Sequence, residues 1–401
     1  MDTEIAVSNS RSKYKADKKI SIALMASFVI LTIQYFILIY FNLIGSSIAS
    51  SIQLLSKGLV GLAYIYALPE VIKRSKTKLI IVYFIAIFIF VFNYAFFTNN
   101  RIQIEELIFP VFFMSMPAFV YSFSIKNLLV FKEYMKKTSY IVFVFGAILG
   151  VLFFSGRATA GPYSMALSYY LLLPTIVFID ELFKKISLRI LFFIIVTMSV
   201  IIALGSRGAI LCLLIFVSLK LLRKSSKLTL KKTLIGFGLL GIGVLFLLYL
   251  DRILERIYVF FLNFGITSRT LTLFLRDELH LSGRDIIYKD VIDVFVENPL
   301  IGLGLAGDRV VLNGTYSHNF FIEIVSNFGV FVGTFILASI LILFFKRLAN
   351  KDDSKYSLIS IWISFGFVHL MVSGSYLIDI KFWILMGLLI NPLMRNKGLN
   401  N

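Results

Sequence analysis

The chain has 401 residues, 59% of them hydrophobic and 15% charged, with a mean hydropathy of +0.89. A soluble core cannot hide that much apolar surface, so the composition excludes a water-soluble enzyme and predicts an all-α integral membrane protein. The formal charge of +18 comes from 40 Lys and Arg against 22 Asp and Glu, and it falls in short segments between apolar runs. It is therefore a topology signal and argues against a nucleic-acid partner.

About twelve membrane-spanning helices are expected. In chain order they are Ile20–Phe41, Ile48–Pro69, Leu79–Phe97, Leu107–Phe123, Tyr140–Phe154, Tyr163–Ile179, Leu188–Leu204, Gly208–Leu222, Leu234–Leu250, His318–Phe345, Tyr356–Ser373 and Ile378–Met394. The first is too long for a cleavable signal and lacks a small-residue cleavage site. With the N-terminus inside, 28 basic residues fall in cytoplasmic segments, among them Lys73, Arg74, Lys136, Lys184, Lys220 and Arg347. The short outside turns keep only Arg101, Arg157, Arg207 and Lys381. This bias predicts a multi-pass protein of the cytoplasmic (inner) membrane with both termini cytoplasmic. The whole of 1–401 is expected to form one membrane domain.

Residues 251–317 form the exception to short turns, an extracytoplasmic loop between the ninth and tenth helices. Two surface helices are expected in it. Arg252–Leu262 is amphipathic, and Ser282-Gly-Arg-Asp285 fits a capping box ahead of an apolar face of Ile287, Val291, Val294 and Phe295. The second should stop at Asn298, before Pro299, with Gly302, Gly304 and Gly307 as a flexible turn.

Most motifs fail on context. Gly236-Phe-Gly-Leu-Leu-Gly241 matches a dinucleotide fingerprint as a string but lies inside an apolar run with no preceding strand, and is expected to pack helices. No nucleotide-binding, serine-elbow or paired-acid motif is present. With three histidines and one cysteine, Cys212, a metal centre and an intrachain disulfide are not expected, and no cofactor is assigned.

The outward-facing basic residues remain. Arg207 opens a helix at the tight turn Leu204-Gly-Ser-Arg-Gly208, with Ser206 as N-cap, an arrangement suited to an anion. Arg157 lies in the turn Ser155–Pro162, and Arg284 in the first turn of the second loop helix. All three could surround one diphosphate; each alone could also be an ordinary arginine at headgroup level. His318 stands where the loop re-enters the membrane, with Ser317 as expected N-cap, and the helix dipole should keep its ring neutral and able to take a proton. A histidine hydrogen-bonded at a helix end is the bland alternative, and His369 is read as structural. Lys57, deep in the second helix near Gln53, is expected to face the bundle interior with Glu105, Glu106 or Asp379 as partner.

Together, Arg207 in Ser-Arg-Gly-Ala, Ser-Gly-Arg284, Asn298-Pro-Leu-Ile-Gly-Leu-Gly304, Ser317-His-Asn-Phe-Phe-Ile-Glu323 and the Gly329…Gly333 pair resemble the core of the O-antigen ligase and polymerase superfamily, in order and placement. The resemblance covers Gly150–Met394. It implies a metal-independent glycosyltransferase with a polyprenyl-diphosphate-linked glycan donor, a glycan acceptor and membrane lipid as partners; a flippase and a chain-length regulator are further candidates. It makes Arg207 and Arg284 diphosphate ligands and His318 the base; Arg157 and, outside the stretch the resemblance covers, Lys57 are further substrate-binding candidates. Polymerisation of O-antigen, capsule or exopolysaccharide repeat units is favoured over ligation to a lipid acceptor. A transporter or flippase is the competing class, weakened because the hydropathy shows no two-fold repeat.

Overall fold

A computed structural model describes residues 2–155, 164–204, 206–223, 229–263 and 284–394, and every described element is helical. In chain order these are α1 (Asp2–Tyr40), α2 (Ser47–Phe96), α3 (Arg101–Pro110), α4 (Met116–Ser124), α5 (Leu128–Phe154), α6 (Ser164–Lys184) and α7 (Leu188–Ala203). There follow α8 (Arg207–Leu222), α9 (Leu230–Asn263), α10 (Arg284–Phe295), α11 (Gly307–Val311), α12 (Phe320–Leu348), α13 (Asp353–Gly366) and α14 (Ile380–Ile390). Among the described residues seven helices are long and apolar enough to cross a membrane, and α7 and α14 are shorter apolar helices.

Several expected boundaries move. The expected second and third spans are the two arms of α2, which bends at a kink where Ser75 leaves helical geometry (φ −147°, ψ 32°). The basic stretch between them, Lys73 to Lys78, carries that kink although it contains no Gly or Pro. The amphipathic stretch from Arg252 lies in the second arm of α9, beyond a kink at Tyr249 next to the expected end of the ninth span. Within α3 and α4, Pro110 removes a backbone donor, and a π turn at Val111–Ser115 absorbs the mismatch.

The chain divides into two compact units. The first comprises residues 1–66 and 127–278. Here α1 packs on α5 with Phe36 and Phe145 5.3 Å apart, and Gly146 and Gly150 bring α5 close against Leu171 of α6 and Val200 of α7. Gly236 and Gly243 do the same for α9 against Leu221 and Leu214 of α8; of the glycine stretch expected to pack helices Gly236 does so, while Gly238 and Gly241 face open space. An ion cluster ties three helices: buried Asp180 pairs with Lys184 and Lys220 at 2.6 Å each, and Glu181 with Lys136 at 2.7 Å.

The second unit comprises residues 67–126 and 279–401. Its core is aromatic, with Phe320 of α12 meeting Phe367 at 5.2 Å and Phe382 at 5.3 Å. The side-chain amide of Asn391 donates to the carbonyls of Ser122, Phe123 and Ile125, closing the C-terminal end of α4. The expected flexible glycine turn is instead fixed. Gly302 and Gly304 both have φ +78°, Leu303 donates to the Ser326 carbonyl at 2.7 Å, and Val330 donates to the Pro299 carbonyl at 2.8 Å. That stitching fits the segment into the kink of α12 at Gly329.

Candidate active site

The candidate site grows from the segment between α11 and α12. Gly314 donates its N–H to the Arg309 carbonyl at 2.7 Å, closing the turn after α11. Buried Asp308 then accepts the Ser317 N–H at 3.0 Å. On the other side, Asn319 caps α12 by accepting from the N–H groups of Phe321 and Ile322 at 3.0 and 3.3 Å. Asn319, not Ser317, is therefore the N-cap, because the Ser317 backbone is already committed to Asp308. Between these two anchors His318 is held at φ +54°, a left-handed conformation costing a non-glycine residue on the order of 1–3 kcal/mol.

The His318 ring lies 4.3 Å from that of Tyr316, and the Arg309 guanidinium stands 5.4 Å from the Tyr316 ring centre. Burial pushes the His318 pKa down, and the positive charge of Arg284 adds to the effect. Both effects favour the neutral ring. Its Nδ1 is buried and has no hydrogen-bond partner among the described residues.

Behind Tyr316 lies a polar cluster that sequence reading did not assemble. Arg309 is buried and donates to Ser375 Oγ at 3.0 Å, and Ser375 donates in turn to Glu323. The second Glu323 oxygen accepts from the Tyr376 N–H at 3.2 Å, and Asn327 donates to the Tyr376 hydroxyl at 3.3 Å. Asp308 and Glu323 are fully buried beside a single arginine, and burial raises the Asp308 pKa. The available signal was an acid in the first turn of an apolar helix, Glu323, and an adjacent Asp-Arg pair just after the glycines. His369, read as structural, is buried against Asp379 at 2.8 Å, with Lys381 at 3.0 Å from the same oxygen.

The remaining expected residues divide as follows. Arg284 is the first residue of α10, half-buried, in the same unit as His318. The α10 helix ends at Phe295, earlier than the expected Asn298, and buries Val291 on its apolar face. Arg207 begins α8 in the other unit, exposed, and Ser206 caps that helix by accepting from Ala209 at 3.4 Å. Arg157 and the start of the expected capping box lie outside the described residues. Lys57 does not face an interior: it is exposed on α2 beside Leu54 and Leu55, themselves 70% and 64% exposed. Asp379, one of its expected partners, is committed to His369 and Lys381 and caps α14.

Residues 190–337 match the O-antigen ligase family, a stretch that contains Arg207, Arg284, Arg309, His318 and Glu323 but neither Lys57 nor Arg157. No curated protein and no solved structure matches the chain.

Proposed function

We propose, for a membrane protein whose residues 190–337 match the O-antigen ligase family, a glycosyltransferase that joins polyprenyl-diphosphate-linked oligosaccharide repeat units at the outer face of the cytoplasmic membrane. The observation that carries this reading is His318: a strained, neutral imidazole whose buried Nδ1 no described residue engages, set against Tyr316 and Arg309. Strain kept by two flanking hydrogen-bond anchors is characteristic of functional positions.

In the proposed reaction His318 takes the proton of an acceptor hydroxyl as the new bond forms between that oxygen and the donor's anomeric carbon. The bond from that carbon to the diphosphate oxygen breaks, and the electron pair leaves on the diphosphate. Arg284 balances the developing charge, and Arg309, over the Tyr316 ring, is a second guanidinium in the same unit; the resemblance assigns Arg207 to the diphosphate as well. The donor linkage supplies the driving force. Twelve passes with both termini inside is the proposed topology, resting on the Lys and Arg distribution. Arg157 and Lys57 receive no step in the chemistry.

The test is His318→Ala, expressed at wild-type level. Loss of polymer with normal membrane insertion is expected, and near-normal polymer would remove the general-base role. Arg207→Lys should also be poorly tolerated, since an ammonium cannot reproduce a forked contact to a diphosphate. Polymerase and ligase differ in the acceptor. Deleting the gene should leave single repeat units on the final acceptor; full-length glycan accumulating on the polyprenyl carrier would make the chain a ligase instead.

A further inference from the structure

Within the second unit, a cavity of about 280 Å³ lies beside α11. Gly307, Val310 and Val311 line it, whereas Asp308 and Arg309 of the same short helix belong to the polar cluster behind Tyr316. The spacing i, i+3, i+4 puts the lining residues on one face of the helix. Phe97 and Val294 complete the apolar wall.

The cavity is shaped by the fold itself. The buried amide of Asn100 donates to the carbonyls of Leu303 and Leu305 at 2.8 and 3.1 Å, and Asn93 accepts the Leu305 N–H at 2.7 Å. Gly304 sits so close beneath Phe97 that any side chain there would run into the ring. At the rim, Thr98 and Asn99 are exposed, and neither side chain is hydrogen-bonded to a described residue.

An apolar wall with a free hydroxyl and a free amide at its edge matches the two-sided character of a pyranose, whose C–H face is apolar and whose periphery carries hydroxyls. A prenyl or acyl chain would use the wall but leave the two rim groups without purpose. The volume, just below the about 300–1,000 Å³ common for small-molecule sites, suits one sugar ring better than an extended chain. The same helix also reaches the base, because Asp308 fixes Ser317 immediately before His318.

Resting on the glycan-transfer reading, we propose that this cavity binds one sugar residue of the acceptor saccharide, away from the reacting hydroxyl, and so sets acceptor specificity. The experiment uses the full-length protein in lipid nanodiscs. The probe is oligosaccharides prepared by partial acid hydrolysis of the producing cell's own surface polysaccharide, with binding read by saturation-transfer NMR. Val310→Phe, which fills the cavity, and the rim pair Thr98→Ala/Asn99→Ala, which leaves the core untouched, should each weaken binding at least ten-fold. In transfer assays the rim pair should raise the acceptor KM at least ten-fold and leave the donor KM within two-fold.

Parent-like binding by a folded rim pair overturns the subsite. A rise in donor KM without a rise in acceptor KM also overturns it, making the cavity a lipid site. A His318→Ala variant that still makes polymer sinks the catalytic reading instead, and it does so without touching the binding result.

Discussion

Gly329 breaks α12 at φ +77°, ψ 170°, and a side chain placed there would lie 2.7 Å from the carbonyl carbon of Leu300. The kink and the glycine segment before α11 therefore fit together as one piece. Only glycine enters that backbone region readily, and the close approach of two backbones leaves no room for a methyl group.

Gly329→Ala is accordingly expected to cost roughly 1–3 kcal/mol from conformation alone, with the collision added. Thermal unfolding in detergent should show the loss as a lowered midpoint. Gly238→Ala is the control, because that glycine of α9 has open space around its Cβ direction. Equal midpoints for the two variants would mean that the Leu300 contact does not constrain the fold.

Asn391 gives a second stability prediction. Its amide serves three carbonyls near the end of α4 from more than 260 positions away in sequence. Asn391→Ala leaves these buried acceptors unserved, at about 1–3 kcal/mol for each group that water cannot reach. Asn391→Asp should be at least as damaging, since a carboxylate offers them no donor. A melting midpoint unchanged in both variants would remove the capping role.

Long-range pairings of this kind mark the limit of what one sequence discloses. The apolar runs announced the membrane helices, and the helix beginning at Arg284 was legible from its apolar spacing. Arg207 and Ser206 were legible for the same reason, since a helix start is a local feature. The partners of Glu323 are Ser375 and Tyr376, and those of Asn100 are Leu303 and Leu305, contacts that exist only once distant helices pack. The basic stretch Lys73 to Lys78 marked the division of α2 at Ser75 by charge alone, with no Gly or Pro to announce the bend. Ser317 was misread as a cap because its true partner, Asp308, is a tertiary one.

The Asp180 cluster predicts an ordered series of losses. Asp180 is nearly fully buried between Lys184 and Lys220, whose side chains are 51% and 14% exposed. Removing the acid strands Lys220 in a buried position, a change on the order of 3–5 kcal/mol. Lys220→Met should cost less, because Asp180 keeps Lys184. The double variant Asp180→Leu/Lys220→Met should recover most of the loss. A double variant no better than Asp180→Leu alone would show that the pair is not the source of the penalty.

The last prediction concerns pH. His318 titrates below its ordinary value of 6.5, first because it is half-buried and second because Arg284 is close. A general base works only when unprotonated, so kcat/KM for transfer should be flat above that ordinary value and fall as pH drops through the lowered one. Arg284→Gln removes a positive charge that opposes protonation of the ring. The His318 pKa must then rise, and the acid limb of the profile should move to higher pH, whatever happens to the maximal rate. Arg284→Lys keeps the charge and should leave the limb nearly where it was, even if weaker diphosphate contact lowers the plateau. An acid limb that stays in place in Arg284→Gln would mean that Arg284 does not tune the base. A limb that persists in a residually active His318→Gln variant would assign the titration to another group, of which Asp308, raised by its burial, is the nearest.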